Sequence, residues 1–372
     1  MRILVVTLAP PGATTGNRVT AVRWARILRG LGHRVTLARE YRGQGVDLLV
    51  ALHARKSSRS IVRFRREWPA APVVVALTGT DLYADLRSSA VARRSLDLAT
   101  RLVVLQPMAI QALPDRARGK VRVILQSAAT PRSRPEADLP VRARVIGSSR
   151  TGSSPGTDAC GEAVRPHGLI TKGRAAASMK QEAVVERLSI NRRTVFEACV
   201  IGHLRRVKDP FRTAAAARLL PSSSRIRVLH VGEAVERGMS ARARAEQRRN
   251  LRYRWLGSLP HARARKVLAR SRLLCLTSRL EGGANVLSEA AAAGVPVLCS
   301  RIDGSVGLLG PGYPGYFPVG DTRALARLLL RAETDPRFYA GLRCGMRRLA
   351  RLVRPGRERA AWASLLAELS NG

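Results

Sequence analysis

The sequence predicts an α/β protein with two successive Rossmann-like halves, each a parallel sheet covered by helices, and a cleft between them. Three observations predict it. Short apolar runs alternate with amphipathic stretches over residues 1–130, the β-α-β pattern of a parallel sheet. A second series of the same kind begins at residue 198. The 372 residues, 45% of them hydrophobic, are enough for two cores of ordinary size.

The first strand covers residues 3–8, and this apolar run is too short for a signal peptide. Val19, Val22, Leu28 and Leu31 then recur on one helical face, which Gly30 and Gly32 close. Residues 35–37, 47–52, 73–77, 102–105 and 121–125 read as further strands. In the second half, strands are expected at 198–201, 227–231, 253–256, 273–276 and 295–299, with helices between them. The tail from about 347 to 369 reads as one helix. Residues 131–197 fit neither series; 147–156 have the Gly, Ser and Pro content of a loop, while 179–197 can form a helix. The expected organisation is a first domain at 1–130, a partly disordered insertion or linker at 131–197, a second domain at 198–346 and a terminal helix at 347–372.

The formal net charge is +40, carried by sixty arginines against six lysines. Such a charge attracts polyanions without specificity. Aromatic residues are only 4%, and no basic stretch is interleaved with stacking side chains, which argues against specific nucleic-acid binding. No apolar stretch approaches the roughly 20 residues that span a bilayer. A cytoplasmic location is expected. Cys160, Cys199, Cys275, Cys299 and Cys344 include no C-x-x-C pair, so zinc is not expected. Cys199, Cys275 and Cys299 lie in apolar strand runs and read as small buried hydrophobes.

The most informative stretch is 279–289. Glu281 stands at the exit of the strand at 273–276, and Glu289 stands inside the alanine-rich helix that Gly294 closes. Gly282, Gly283, Ala284 and Asn285 lie between them. The backbone N–H groups of such a loop have no partners of their own at the positive end of a helix, and this is where a diphosphate binds. Gly282 and Gly283 would let the backbone approach a phosphate. A carboxylate one or two turns into that helix can accept hydrogen bonds from a sugar diol. The pattern points to a nucleotide-sugar site. No D-x-D triplet and no G-x-G-x-x-G run occur, so neither a metal nor a dinucleotide cofactor is expected.

Glu281 and Glu289 in this spacing, followed by Gly294, Val295, Pro296, Val297 and Leu298, resemble family 4 glycosyltransferases of the GT-B fold. Residues 200–210 resemble the opening of that family's second domain, where an arginine and a lysine face the leaving diphosphate. Lys208 matches the lysine; His203 occupies the arginine position, and Arg205 lies two residues on. Further motifs are Pro10 to Gly12 with residues 16–20, then 51–55, 77–83, 202–205, 281–286 and 314–318. Taken in order, they are similar to the selenosugar synthases of selenoneine biosynthesis, which join selenophosphate to the sugar of a UDP-sugar. Residues 131–197 fall outside the resemblance.

The resemblance implies Glu281, Lys208 and Arg205 as catalytic residues. It implies Glu289, Gly282, Gly283, Ala284, Asn285 and His203 as the UDP-sugar contacts, with Glu289 on the ribose hydroxyls. UDP-glucose or UDP-N-acetylglucosamine is the expected donor. In a GT-B cleft the acceptor enters from strand ends of the first domain. Gly16, Asn17, Arg18, Thr78, Gly79, Thr80 and Asp81 lie at two such ends and offer a cation, hydroxyls and free N–H groups to selenophosphate. Asn17 would also cap the first helix. His53 follows the strand at 47–52 and reads as structural; no histidine occurs between His53 and His167, which suits an acceptor needing little deprotonation. The alternatives are an ordinary family 4 transferase acting on a hydroxyl, or an inactive relic disrupted by residues 131–197.

Overall fold

The computed structural model describes residues 1–13, 15–130 and 195–371. The first half runs β1 (Arg2–Val6), α1 (Gly16–Gly30), β2 (Arg34–Ala38), β3 (Leu48–Leu52), α2 (Ser58–Glu67), β4 (Val73–Leu77), α3 (Ala90–Leu98), β5 (Arg101–Val104) and β6 (Val121–Val123). Its strands form one parallel sheet in the order β2-β1-β3-β4-β5-β6. All five residues of β3 and of β4 are buried, as expected for central strands covered on both faces.

The second half runs β7 (Phe196–Ile201), α4 (Arg212–Ala217), β8 (Ile226–Val231), α5 (Met239–Arg249), β9 (Tyr253–Trp255), α6 (His261–Arg270), β10 (Leu273–Leu276), α7 (Asn285–Ala293), β11 (Val297–Ser300), α8 (Asp303–Leu309), β12 (Tyr316–Phe317), α9 (Thr322–Thr334), α10 (Pro336–Leu352) and α11 (Pro355–Ser370). This sheet is also parallel, in the order β12-β11-β10-β7-β8-β9. The order reverses between β7 and β10, so the loops after these strands flank the crevice where α/β sheets bind ligands.

Each strand read from the sequence is present, with ends that differ by at most two residues. Three details differ. The edge strand β12 went unread because it has two residues between Gly315 and Pro318. Strand β7 starts at Phe196, inside the segment assigned to the insertion; the rest of that segment, 131–194, lies outside the described residues. The tail is two helices rather than one. Helix α10 ends at Leu352 and α11 starts at Pro355, because a proline disfavours helix at the residue before it and suits a first helical position.

Helix α11 packs on the first sheet. Trp362 meets Trp24 of α1 edge-on at 5.0 Å, and Leu365 and Leu366 join the core of Ile3, Val5, Leu48 and Val50. Glu368 forms ion pairs with Arg101 (2.7 Å) and Arg122. The chain crosses between the halves twice, and the two crossovers touch: Ala128 N–H donates to Val353 O at 3.1 Å. Cys199, Cys275 and Cys299 are buried on neighbouring strands, and burial pushes the Cys199 and Cys299 thiols up to about 12. Among the described residues, no helix is long and apolar enough to cross a membrane.

Candidate active site

Glu281 and Lys208 meet at the β7/β10 switch point. Lys208 lies in a single helical turn after β7, and Asp209, in the left-handed region at φ 44°, reverses the chain behind it. Thr277 Oγ1 donates to the carbonyl of Asp209 (2.9 Å) and lies 3.0 Å from that of Lys208, which fixes the turn against the end of β10. The Lys208 ammonium forms a close ion pair with Glu281 Oε1. Ser278 Oγ donates to the same oxygen at 2.6 Å. Glu281 is thus held from both sides, and Lys208 stays extended over the switch point.

Helix α7 starts at Asn285 with no side-chain cap from Ala284, so its first N–H groups have no side-chain acceptor. Glu289 projects from the second turn. Its side chain is only 14% exposed, and its Oε1 lies 2.7 Å from His261 Nε2 at the start of α6. A carboxylate accepts only, so the imidazole N–H donates.

His203 and Lys208 both line a small hollow with Gly202, His230 and Ser278. His203 Nδ1 accepts the Glu233 N–H at 3.2 Å. Arg205 is not brought to the pair at Glu281. Its guanidinium turns towards Glu236, with Nε at 4.0 Å from Oε1, because the backbone between Leu204 and Lys208 carries the two side chains in different directions. His230 was not read from the sequence. It is fully buried beside the site, with Nδ1 2.9 Å from the Tyr253 hydroxyl and Nε2 3.2 Å from the Gly202 carbonyl. Burial pushes its pKa down to about 4, so it is a neutral brace.

On the first domain, α1 starts at Gly16, and Asn17 stands in its first turn rather than at the cap; the preceding Thr15 makes no capping bond. Arg18 is half-buried and has no partner among the described residues. Asp81 differs from its expected role. It is fully buried, and its carboxylate accepts the N–H groups of Thr78 and Gly79 (2.9 Å each) and of Ala54 (3.0 Å). With both oxygens in use, it shapes the loops after β3 and β4 and does not face an acceptor. Thr80 Oγ1 lies 3.1 Å from His53 Nε2. His53 is 2% exposed and has a left-handed backbone at φ 77°. Burial lowers its pKa, outweighing the opposite pull of Asp81 and Asp85, so the ring is neutral.

The glycines of the two halves face each other. A Cβ on Gly282 would stand 2.5 Å from the Thr78 carbonyl and 2.6 Å from Gly79 N. A Cβ on Gly79, itself at φ 138°, would stand 2.8 Å from Gly282 N. A Cβ on Gly283 would stand 2.6 Å from Leu105 Cβ. The sequence suggested that these glycines admit a phosphate; in the structure, the side on which each lacks a Cβ also receives the first domain's loops. Gly16 lies against Asn285, so the starts of α1 and α7 stand side by side. Asn285 Oδ1 accepts from Arg23 Nη1 (2.9 Å), and Arg23 Nε donates to buried Glu358 (3.2 Å). Glu358 also accepts from Trp24 Nε1 (2.8 Å) and the Ser127 N–H (2.9 Å). Gln126, in the amide orientation that satisfies both its ends, donates to the Gly283 carbonyl at 2.9 Å. Sequence reasoning missed this chain, since its members come from four distant segments.

Residues 189–348 match the family model described as glycosyl transferases group 1. Comparison with curated protein sequences finds no match. Among solved structures, Anabaena HepE in complex with UDP-glucose is similar with a TM-score of 0.70 at 15% identity, covering 99% of this chain and 100% of its own. Sucrose-phosphate synthase from Thermosynechococcus elongatus is similar with a TM-score of 0.69 at 16% identity, covering 100% and 99%. These likenesses identify the fold as GT-B. The family match over residues 189–348 indicates a glycosyltransferase.

Proposed function

We propose that this glycosyltransferase moves a glucose-type sugar from a UDP-sugar to the selenium of selenophosphate, releasing UDP, and that water then cleaves the Se–P bond to give a 1-selenosugar and phosphate. The observation that carries the reading is the opposition of two helix starts. Gly16 of α1 lies against Asn285 of α7, and neither helix has a side-chain cap. Two positive helix ends facing one cleft suit two anions, a donor diphosphate on the second domain and an anionic acceptor on the first.

On the donor side, Glu289 and the loop before Asn285 hold ribose and diphosphate, and the likeness to HepE, solved with UDP-glucose, supports uridine as the base. UDP-glucose and UDP-N-acetylglucosamine both fit this reading. Lys208 neutralises the charge that develops as the anomeric C–O bond breaks and its electron pair leaves with UDP. Glu281 holds Lys208 in place and faces the positive charge building at the anomeric carbon. Selenium then supplies the electron pair of the new C–Se bond.

The acceptor side supports a nucleophile that is already ionised. Asp81 is consumed by backbone N–H groups, and the His53 ring is buried against Thr80, so neither is free to deprotonate a hydroxyl. Arg18 remains as a cation without a partner among the described residues. A cytoplasmic location goes with this reading. The test is a mass-spectrometric assay of UDP-sugars with selenophosphate. A selenosugar product is expected. Glycosylation of an alcohol with no selenosugar from any UDP-sugar would leave the hydroxyl-acceptor transferase as the function.

A further inference from the structure

A further opening lies away from the cleft, where the two crossovers meet. It is an open pocket of about 280 Å³, lined by Arg347, Arg351 and Arg354 with Ala128, Ala292 and Ala350. Small side chains form its floor and guanidinium-bearing ones its rim. Among the described residues, none of the three arginines has an ion-pair or hydrogen-bond partner for its side chain, although other surface arginines of this chain do. Arg347 and Arg351 are four residues apart on α10, so like charges stand on one helical face and repel each other unless something offsets them. Helix α11 begins at the pocket edge with Pro355 and has no side-chain cap, which adds its positive end to the same point.

We infer that this pocket is a second binding site, for a small anion carrying two or more phosphate charges. Three guanidinium groups without a partner among the described residues supply forked donors that match phosphate oxygens, and the volume suits a compact ligand. The site is independent of the donor reading. Its lining joins both crossovers, Ala128 on the first and Arg354 on the second, and it reaches Ala292 at the end of α7.

The probe is inorganic pyrophosphate, titrated calorimetrically into the full-length protein at 0.15 M salt (roughly physiological), with saturating UDP to keep the cleft occupied. One pyrophosphate should bind. The variant R347Q/R351Q/R354Q should bind it at least tenfold more weakly. A control, R323Q/R327Q/R337Q, removes the same charge from exposed positions on α9 and the start of α10 and should bind as the wild type does. Equal binding by the pocket variant, or an equal loss in the control, overturns the site and leaves only non-specific attraction to a basic surface. If UDP itself does not bind, the donor reading fails, and the contrast between the two variants still decides this one.

Discussion

Glu289 and Arg18 belong to separable halves of the site, and substitution should separate them. Glu289→Ala should weaken UDP binding by about 1.5–3 kcal/mol, the loss of a charge-assisted hydrogen bond, read by calorimetry on the folded variant. Unchanged affinity would remove Glu289 from the donor site. Arg18→Ala should lower kcat/KM for selenophosphate roughly ten- to a hundredfold while UDP affinity stays the same. A parallel fall in both would place Arg18 on the donor instead. His230 sets a pH dependence of stability. Its folded pKa, about 4, lies below the ordinary 6.5, so the unfolded chain takes up a proton first as the pH falls. Its contribution is complete above pH 6.5 and is lost between 6.5 and 4, by about 3 kcal/mol. Urea midpoints over that range should fall less steeply in His230→Asn; an identical slope would assign the effect to another group. At this scale, the placement of Glu281 at a strand exit and of Glu289 inside the next helix was legible, while Lys208 was singled out by the family resemblance alone. Ser278, His261 and the burial of Asp81 were not, since they depend on side chains brought in from other loops.

Elements were the most legible level. Continuous apolar runs such as 73–77 can only be buried strands in this context, and their order gives the two sheets. What the sequence does not display is which loop rests on which. The contact of Gly79 with Gly282 joins residues about two hundred positions apart, and only the glycine content of each loop hints at it. Gly282→Ala would place a methyl group 2.5 Å from the Thr78 carbonyl. Backbone cannot yield as a side-chain tip does, so the two loops must separate, at a cost of roughly 1–3 kcal/mol. The expected result is a lower Tm together with a larger radius of gyration by small-angle scattering. A variant as stable and as compact as the wild type would show that the loops part without cost.

For the whole molecule, the buried carboxylate of Glu358 is the knot. It accepts from Arg23, Trp24 and Ser127, and through Arg23 it reaches Asn285 at the start of α7. Glu358→Gln removes the charge that Arg23 pairs with and sets an amide N–H against existing donors. A loss of roughly 3 kcal/mol in urea unfolding is expected, and a loss below about 1 would mean the network rearranges freely. None of this was visible in the sequence, where Glu358 is one acidic residue in a helix of unremarkable pattern. The position of α11 also bears on how the protein is made. Trp24 and Leu28 emerge from the ribosome early, but Trp362, Leu365 and Leu366, which share their core, emerge more than three hundred residues later. The nascent first half therefore waits with an uncovered apolar face until α11 has been made. A premature stop before Pro355 would leave that face exposed for good and make the truncated product a target for chaperones and proteases.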